Sequence, residues 1–117
     1  MGRKNLALAL TLSLLALGGC APDAWNSRQA TGYNAFVNRI AQECAPLELG
    51  PYQMSQQIER NQMDDNYIYF LDITSRLYYG HITVAAYRSA INGFFMGGAT
   101  TDVALDCIIS KLPQTQK

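Results

Sequence analysis

The stretch that decides the fold is DDNYIYFLDITSRLYYG, residues 64–80. Its large apolar side chains recur at three- and four-residue intervals without strict alternation, which favours a helix, although the β-branched and aromatic content leaves a strand as the alternative. The apolar stripe consists of Tyr67, Phe70, Leu71, Thr74, Leu77 and Tyr78, and it is widened by Ile68, Tyr69, Ile73 and Tyr79. A helix that is apolar on most sides is usually central in its bundle.

Residues typical of helix starts and ends give the predicted bounds of this helix and of its neighbours. Asp64 and Asp65 are N-cap candidates and Gly80 is a candidate C-terminal residue. Apolar residues spaced as on one helix face predict a helix over 31–44, a short one over 51–60 that follows a connector from Leu47 to Pro51, and a last one that ends at Pro113. Thr83 and Thr101 are the predicted caps of the two final helices. The core stripe predicted for the helix after Thr83 contains Val84, Tyr87, Ile91, Phe94 and Phe95.

The amino-acid composition excludes two classes of protein. The 117 residues are 49% hydrophobic and 15% charged, with nine basic and nine acidic side chains. Such a chain is neither a disordered tail nor a basic nucleic-acid-binding domain. Its length suffices for one domain once a targeting segment is set aside. We therefore predict an all-α fold, a small bundle of four or five helices.

The first 20 residues read MGRKNLALALTLSLLALGGC. Arg3 and Lys4 precede an apolar run of about a dozen residues, which is the usual length for the apolar part of a secretory signal and too short to cross a bilayer. Removal of this segment leaves seven basic and nine acidic residues, a net charge of −2. Residues 1–19 are therefore predicted to be a signal peptide.

Leu17-Gly18-Gly19-Cys20 resembles the lipobox of bacterial lipoprotein precursors, in which an aliphatic residue and two small residues precede the cysteine that is lipidated. The resemblance covers residues 1–20 only, and Gly18 departs mildly from the usual alanine or serine. It implies cleavage after Gly19, a diacylglyceryl group on Cys20 and acylation of the new amine. Two or more acyl chains anchor a protein stably. The alternative is an ordinary secretory signal with a free cysteine near the cleavage site.

Ala21 follows the candidate lipidation site. In Gram-negative lipoproteins an aspartate at that position tends to retain the protein at the inner membrane, so the resemblance implies a lipid-anchored protein at the outer membrane, facing the periplasm. Residues 20–30 are predicted to form the lipidated N-terminus and a short polar tether. Residues 31–113 are predicted to form the helical domain, and residues 114–117 a frayed tail.

Two cysteines, Cys44 and Cys107, remain beyond Cys20. An even pair in an exported chain indicates one disulfide, which would close a loop of roughly 60 residues and join the first helix to the last. Two free thiols or a metal pair are the alternatives. A metal site is disfavoured because His81 is the only histidine. We expect no cofactor other than the covalent lipid on Cys20.

The sequence gives no indication of an enzyme. A serine or cysteine nucleophile needs a base within reach, and the single histidine, His81, lies in a predicted turn between two helices. Asp102 and Asp106 share a helix face, as most residues four apart do, and Asp64 with Asp65 is explained by capping. We therefore predict a protein without catalytic activity.

Tyrosine is the residue type that indicates a binding surface. The chain contains seven tyrosines, and tyrosine is enriched at recognition surfaces. Tyr69 and Tyr79 lie at the edge of the apolar stripe and form the candidate partner surface. Partly buried core tyrosines with solvated hydroxyls are the alternative interpretation. Gly93, four residues before Gly97, is expected to let a neighbouring helix approach.

Two classes of function remain. The first is a periplasmic lipoprotein that acts as a non-enzymatic protein-binding or accessory module, with a protein partner, a membrane anchor and no nucleic acid. Pilotins of secretion systems and periplasmic immunity proteins share this general architecture, although no stretch of residues here matches either. The second is an envelope-structural or stress protein, such as an acid-activated periplasmic chaperone. The nine carboxylates and single histidine give that class no specific support.

Overall fold

The computed structural model describes residues 21–114, with side chains from Thr31 onward. In that range the chain is mostly helical, as predicted. Its elements are α1 (Ala21–Glu43), β1 (Glu48–Leu49), β2 (Tyr52–Gln53), α2 (Met54–Arg60), α3 (Asp65–Tyr78), α4 (Val84–Phe95) and α5 (Ala99–Ser110). None of these helices combines the length and the apolar character needed to cross a membrane. The predicted signal peptide, the lipidation at Cys20 and the last three residues of the tail lie outside the described residues.

Helix α1 begins earlier than the sequence predicts. The chain divides after Gly32 into two units, and in the first of them residues 21–32 have helical backbone. The helix thus includes the segment 21–30, for which a tether is predicted, instead of starting at residue 31. The residues there are mainly small and polar, and Pro22 falls in the first turn, where proline is tolerated. Nothing in the segment therefore opposes a helix.

In the second unit, residues 64–80 form the predicted helix α3 and not a strand. The Asp64 carboxylate accepts a hydrogen bond from the backbone N–H of Tyr67 at 2.8 Å, so Asp64 is the N-cap. Gly80 adopts the left-handed conformation at φ +74° immediately after the helix. The fully or almost fully buried residues of α3 are Tyr67, Phe70, Thr74 and Leu77. This helix therefore supplies one wall of the core.

Helix α4 packs against α3 around a buried pair of hydroxyl groups. Thr74 and Tyr87 are completely buried, and their hydroxyl oxygens are 2.8 Å apart. Each hydroxyl needs the other, because an unpaired hydroxyl in the core costs about 1–3 kcal/mol. Burial raises the pKa of the Tyr87 phenol. Thr83 caps α4 as predicted, since its hydroxyl accepts from the backbone N–H of Ala86.

A small β-hairpin lies where the sequence predicts a connector. The short helix α2 therefore begins at Met54 and not at residue 51. Glu48 and Leu49 pair with Gln53 and Tyr52 in antiparallel register across a turn at Gly50-Pro51. Three side chains here are at most 1% exposed: Leu47 just before the hairpin, Leu49 in β1 and Met54 just after it. The hairpin is thus part of the core.

Thr101 holds the turn of this hairpin and does not cap the last helix. Helix α5 begins at Ala99 with Gly98 as its N-cap, three residues before the predicted cap. Thr101 is 1% exposed, and its hydroxyl accepts a hydrogen bond from the backbone N–H of Gly50 at 2.9 Å. A residue predicted to make a local contact therefore makes a long-range one.

The predicted disulfide between Cys44 and Cys107 is present, with the two Cα atoms 5.8 Å apart. It joins the residue that follows α1 to the middle of α5.

Glu43 lies beside the disulfide. The hydrogen bond from Arg39 at 2.6 Å, with a further contribution from Lys111, lowers the pKa of the Glu43 carboxyl.

Replacing both cysteines of the disulfide with alanine is expected to lower the free energy of unfolding by about 4 kcal/mol. The bond joins residues separated by 63 positions, and its loss lets the unfolded chain gain the entropy of that loop. Urea titration measures the difference. Wild-type protein reduced with a phosphine is the matched control, and losses below about 1 kcal/mol in both proteins would contradict the expectation.

Gly50→Ala is expected to destabilise the protein by more than about 3 kcal/mol. The φ of Gly50 is +56°, and a Cβ there would lie 1.8 Å from the carbonyl oxygen of Phe95. Gly93→Ala is the matched control. No atom lies within 4 Å of a Cβ added at Gly93, so the expected close helix approach is wrong and alanine should stabilise α4 by about 0.5–1 kcal/mol. Thermal unfolding of the two variants tests the opposite signs.

Because tyrosine hydroxyls are buried in the fold, we expect the protein to lose stability at alkaline pH. The Tyr33 hydroxyl donates to the carbonyl of Leu71 at 2.6 Å, and burial raises the pKa of Tyr33 above its ordinary value of 10.0. Its contribution to stability is therefore complete below pH 10 and is lost as the pH rises further, by about 1.4 kcal/mol per pH unit for each such group. Urea titrations between pH 8 and pH 11 should show a shallower decline for Tyr33→Phe. An unchanged decline would contradict this assignment.

Candidate functional site

Tyr69, one of the two candidate partner residues, belongs to an aromatic cluster along the seam between α3 and α4. Its ring stacks on that of Phe94, with centroids 3.8 Å apart and planes 12° from parallel. Phe95 meets both rings edge-on, at 6.1 Å from Tyr69 and 4.9 Å from Phe94. The Tyr69 hydroxyl also donates to the carbonyl of Ala90 at 3.4 Å. These contacts hold the Tyr69 ring in one orientation.

Tyr79, the other candidate, belongs to a second aromatic cluster at the opposite end of α3. Its ring lies 5.0 Å from that of Tyr78 and 6.1 Å from that of Tyr33. Tyr78 also packs against Phe36 at 5.2 Å. Burial, and then the neighbouring Tyr78, raises the pKa of the Tyr79 phenol. This cluster joins α1 to α3 within the second unit.

The structure therefore does not bring Tyr69 and Tyr79 together. They are ten residues apart on or beside one helix, which corresponds to about 15 Å along its axis. Both side chains are half-buried, as the alternative interpretation of core tyrosines expects. The two residues cannot form one compact contact surface, and Tyr69 is the one that adjoins exposed apolar residues.

Phe94 and Met96 are the surface residues that sequence analysis did not identify. Phe94 is assigned to the core stripe of α4 by its spacing, but its side chain is 44% exposed. Adjacent residues on a helix point about 100° apart, and of Phe94 and Phe95 only one faces the core. Phe95 is the buried one, at 1%. Met96 follows as the C-cap and is 81% exposed. We call Tyr69, Phe94 and Met96 the aromatic patch.

A groove of about 360 Å³ lies beside the disulfide, between the segment that follows α1 and the first turns of α5. Its lining is mainly apolar, and Val103, 70% exposed, stands on one side. Glu43 and Glu48 lie at its edge. The groove is a second place for a partner, but it contains no aromatic side chain.

The carboxylates of α5 and the single histidine lie in different surroundings. Asp102 accepts from the Asn92 side chain at 3.3 Å, and Asp106 forms an ion pair with Arg88, so each carboxylate binds a residue of α4. His81 is exposed beside Tyr79. Within residues 31–114, no group of three or more histidine, cysteine, aspartate or glutamate side chains is placed to hold a metal ion.

Comparison of the chain with protein-family models, with curated proteins and with solved structures finds no match. Function is therefore inferred from the residues and contacts described above.

Proposed function

We propose that this protein is an outer-membrane lipoprotein that faces the periplasm and acts as a non-enzymatic protein-binding or accessory module. The aromatic patch is the observation that carries the binding part of the proposal. Large aromatic and methionine side chains are enriched in protein interfaces, and an exposed apolar group on a well-packed domain favours association.

The location rests on the first 20 residues and on the disulfide. The charged start, the short apolar run and the Leu17–Cys20 motif together resemble the precursor of a lipidated protein. Disulfides persist in oxidising compartments such as the bacterial periplasm, and the bond between Cys44 and Cys107 is consistent with export. Ala21 in place of an aspartate favours the outer membrane.

The patch is suited to binding in part because its Tyr69 ring already packs against Phe94 and Phe95. Tyr69 is fixed by its ring contacts and its hydrogen bond to Ala90, so a partner would lose little side-chain entropy on contact. Phe94 adds exposed apolar surface next to it, and Met96 is exposed two residues further along the chain. Aromatic side chains that become buried on binding usually carry most of the binding energy at an interface.

Cys20→Ser is expected to prevent lipidation and signal cleavage, because the acyl acceptor would be lost. Mass spectrometry of the membrane fraction from the native host should find the wild-type chain starting at residue 20 with its acyl groups. The variant should keep residues 1–19 and carry no acyl chain. A wild-type protein with an unmodified Cys20 would contradict the proposed anchor.

A photo-crosslinking amino acid placed at Met96 in the native host should capture one protein in stoichiometric amount. The same amino acid at Asn38, an exposed position on α1, is the control and should give no defined product. Phe94→Ala should reduce the Met96 product at least about tenfold, the loss expected when an aromatic anchor worth about 1.4 kcal/mol or more is removed.

Crosslinking at Val103 separates the patch from the groove beside the disulfide. A defined product at Val103 and none at Met96 would assign the partner to the groove and overturn the role of the patch. Products of equal yield at Met96, Val103 and Asn38 would indicate non-specific association and contradict the proposal as a whole.

A further inference from the structure

The Tyr69–Phe94 stack presents a flat aromatic face to solvent. Tyr69 covers one face of the Phe94 ring at 3.8 Å, and Phe95 approaches it edge-on. Phe94 is nevertheless 44% exposed, so part of the ring that Tyr69 does not cover remains open to solvent. An open aromatic face carries the negative side of the ring quadrupole and attracts cations.

Two acidic side chains lie on α3 within about one helical turn of Tyr69. Asp65 lies four residues before Tyr69 and Asp72 three residues after it, so both fall on the Tyr69 side of the helix. Asp65 is exposed and forms no ion pair within residues 31–114. Asp72 is paired with Arg76 at 3.3 Å, but both side chains are 57% exposed. Such a surface pair is weak and exchanges readily.

The rest of the domain has charge of the same sign. Residues 31–114 contain eight acidic and five basic side chains, a net charge of −3 with histidine neutral. Two of the five basic residues, Arg39 and Lys111, are held by Glu43, and Arg88 is held by Asp106. A net negative charge favours a cationic partner and raises its rate of encounter with the domain.

We propose that the aromatic patch binds an arginine side chain presented by a protein partner, a step that rests on the proposed binding function and names the chemistry of the partner. The guanidinium group lies flat on the open face of Phe94, and Asp65 contributes the neighbouring negative charge. Met96 packs against an apolar residue beside the arginine. Arginine fits better than lysine because its planar, weakly hydrated cation stacks on aromatic rings.

The test uses the mature lipidated protein in detergent micelles and a pair of capped five-residue peptides. One peptide has arginine at its centre with leucine and alanine on either side. Its twin has citrulline, which has the same shape as arginine without the charge. NMR titration follows the ring resonances of Phe94 and Tyr69. The arginine peptide should shift them saturably and bind at least about fivefold more tightly than the citrulline peptide, and this preference should shrink as salt is added.

Three variants test whether the preference for the arginine peptide depends on Phe94 and Asp65. Phe94→Leu keeps an apolar side chain of similar size at a half-exposed position and should abolish the preference for arginine. Asp65→Asn should reduce it about two- to threefold. Asp102→Asn removes an exposed carboxylate on α5 and should leave it unchanged, which makes it the matched control. Circular dichroism verifies that each variant is folded.

Several results would overturn the inference. These are equal affinity for the two peptides, no saturable shift at millimolar peptide, or shifts centred on Val103. Concentration-dependent broadening of the patch resonances without peptide would assign the patch to self-association and overturn the inference too. Crosslinking at Met96 with no preference for arginine would leave the proposed binding function standing and remove only this step. Absence of the Met96 crosslink would remove the binding function itself.

Discussion

The constraint on which the remaining structure depends is the fixed position of the segment between α1 and α2. One end is held by the Cys44–Cys107 bond, and the middle is held by the hydrogen bond from Gly50 to Thr101. Strand β1 contacts α2, α4 and α5, so three helices pack around two residues of extended chain. Burial of Leu49 at that point gives the helices a common centre. A shift of this segment would uncover the inner faces of all three.

The elements that the sequence predicts well are those whose determinants are local. Asp64 and Thr83 cap their helices through contacts three residues away, and the apolar stripe of α3 lies within one helix. The hairpin is not predictable in this way, because strands of two residues have no periodicity to recognise. Thr101 shows the same limit, since its partner lies 51 residues distant. Long-range packing decided both.

The candidate site is predictable in part for a related reason. Tyr69 lies at the edge of a stripe that the sequence displays, so its place beside the surface follows from helical spacing. Phe94 belongs equally well to the core stripe of α4 by spacing alone. Which of Phe94 and Phe95 faces inward depends on the position of Tyr69 and Tyr52, whose rings contact them. The open aromatic face thus emerges only from the packing of three elements.

Met96 combines a strained backbone conformation with an exposed apolar side chain. It closes α4 in the left-handed conformation at φ +51°, which costs a residue with a side chain about 1 kcal/mol more than glycine. Glycine would end the helix more favourably, as Gly80 after α3 illustrates, but would leave no apolar side chain there. Glycine at this position would therefore relax the end of α4 and at the same time remove an apolar side chain of the proposed binding site.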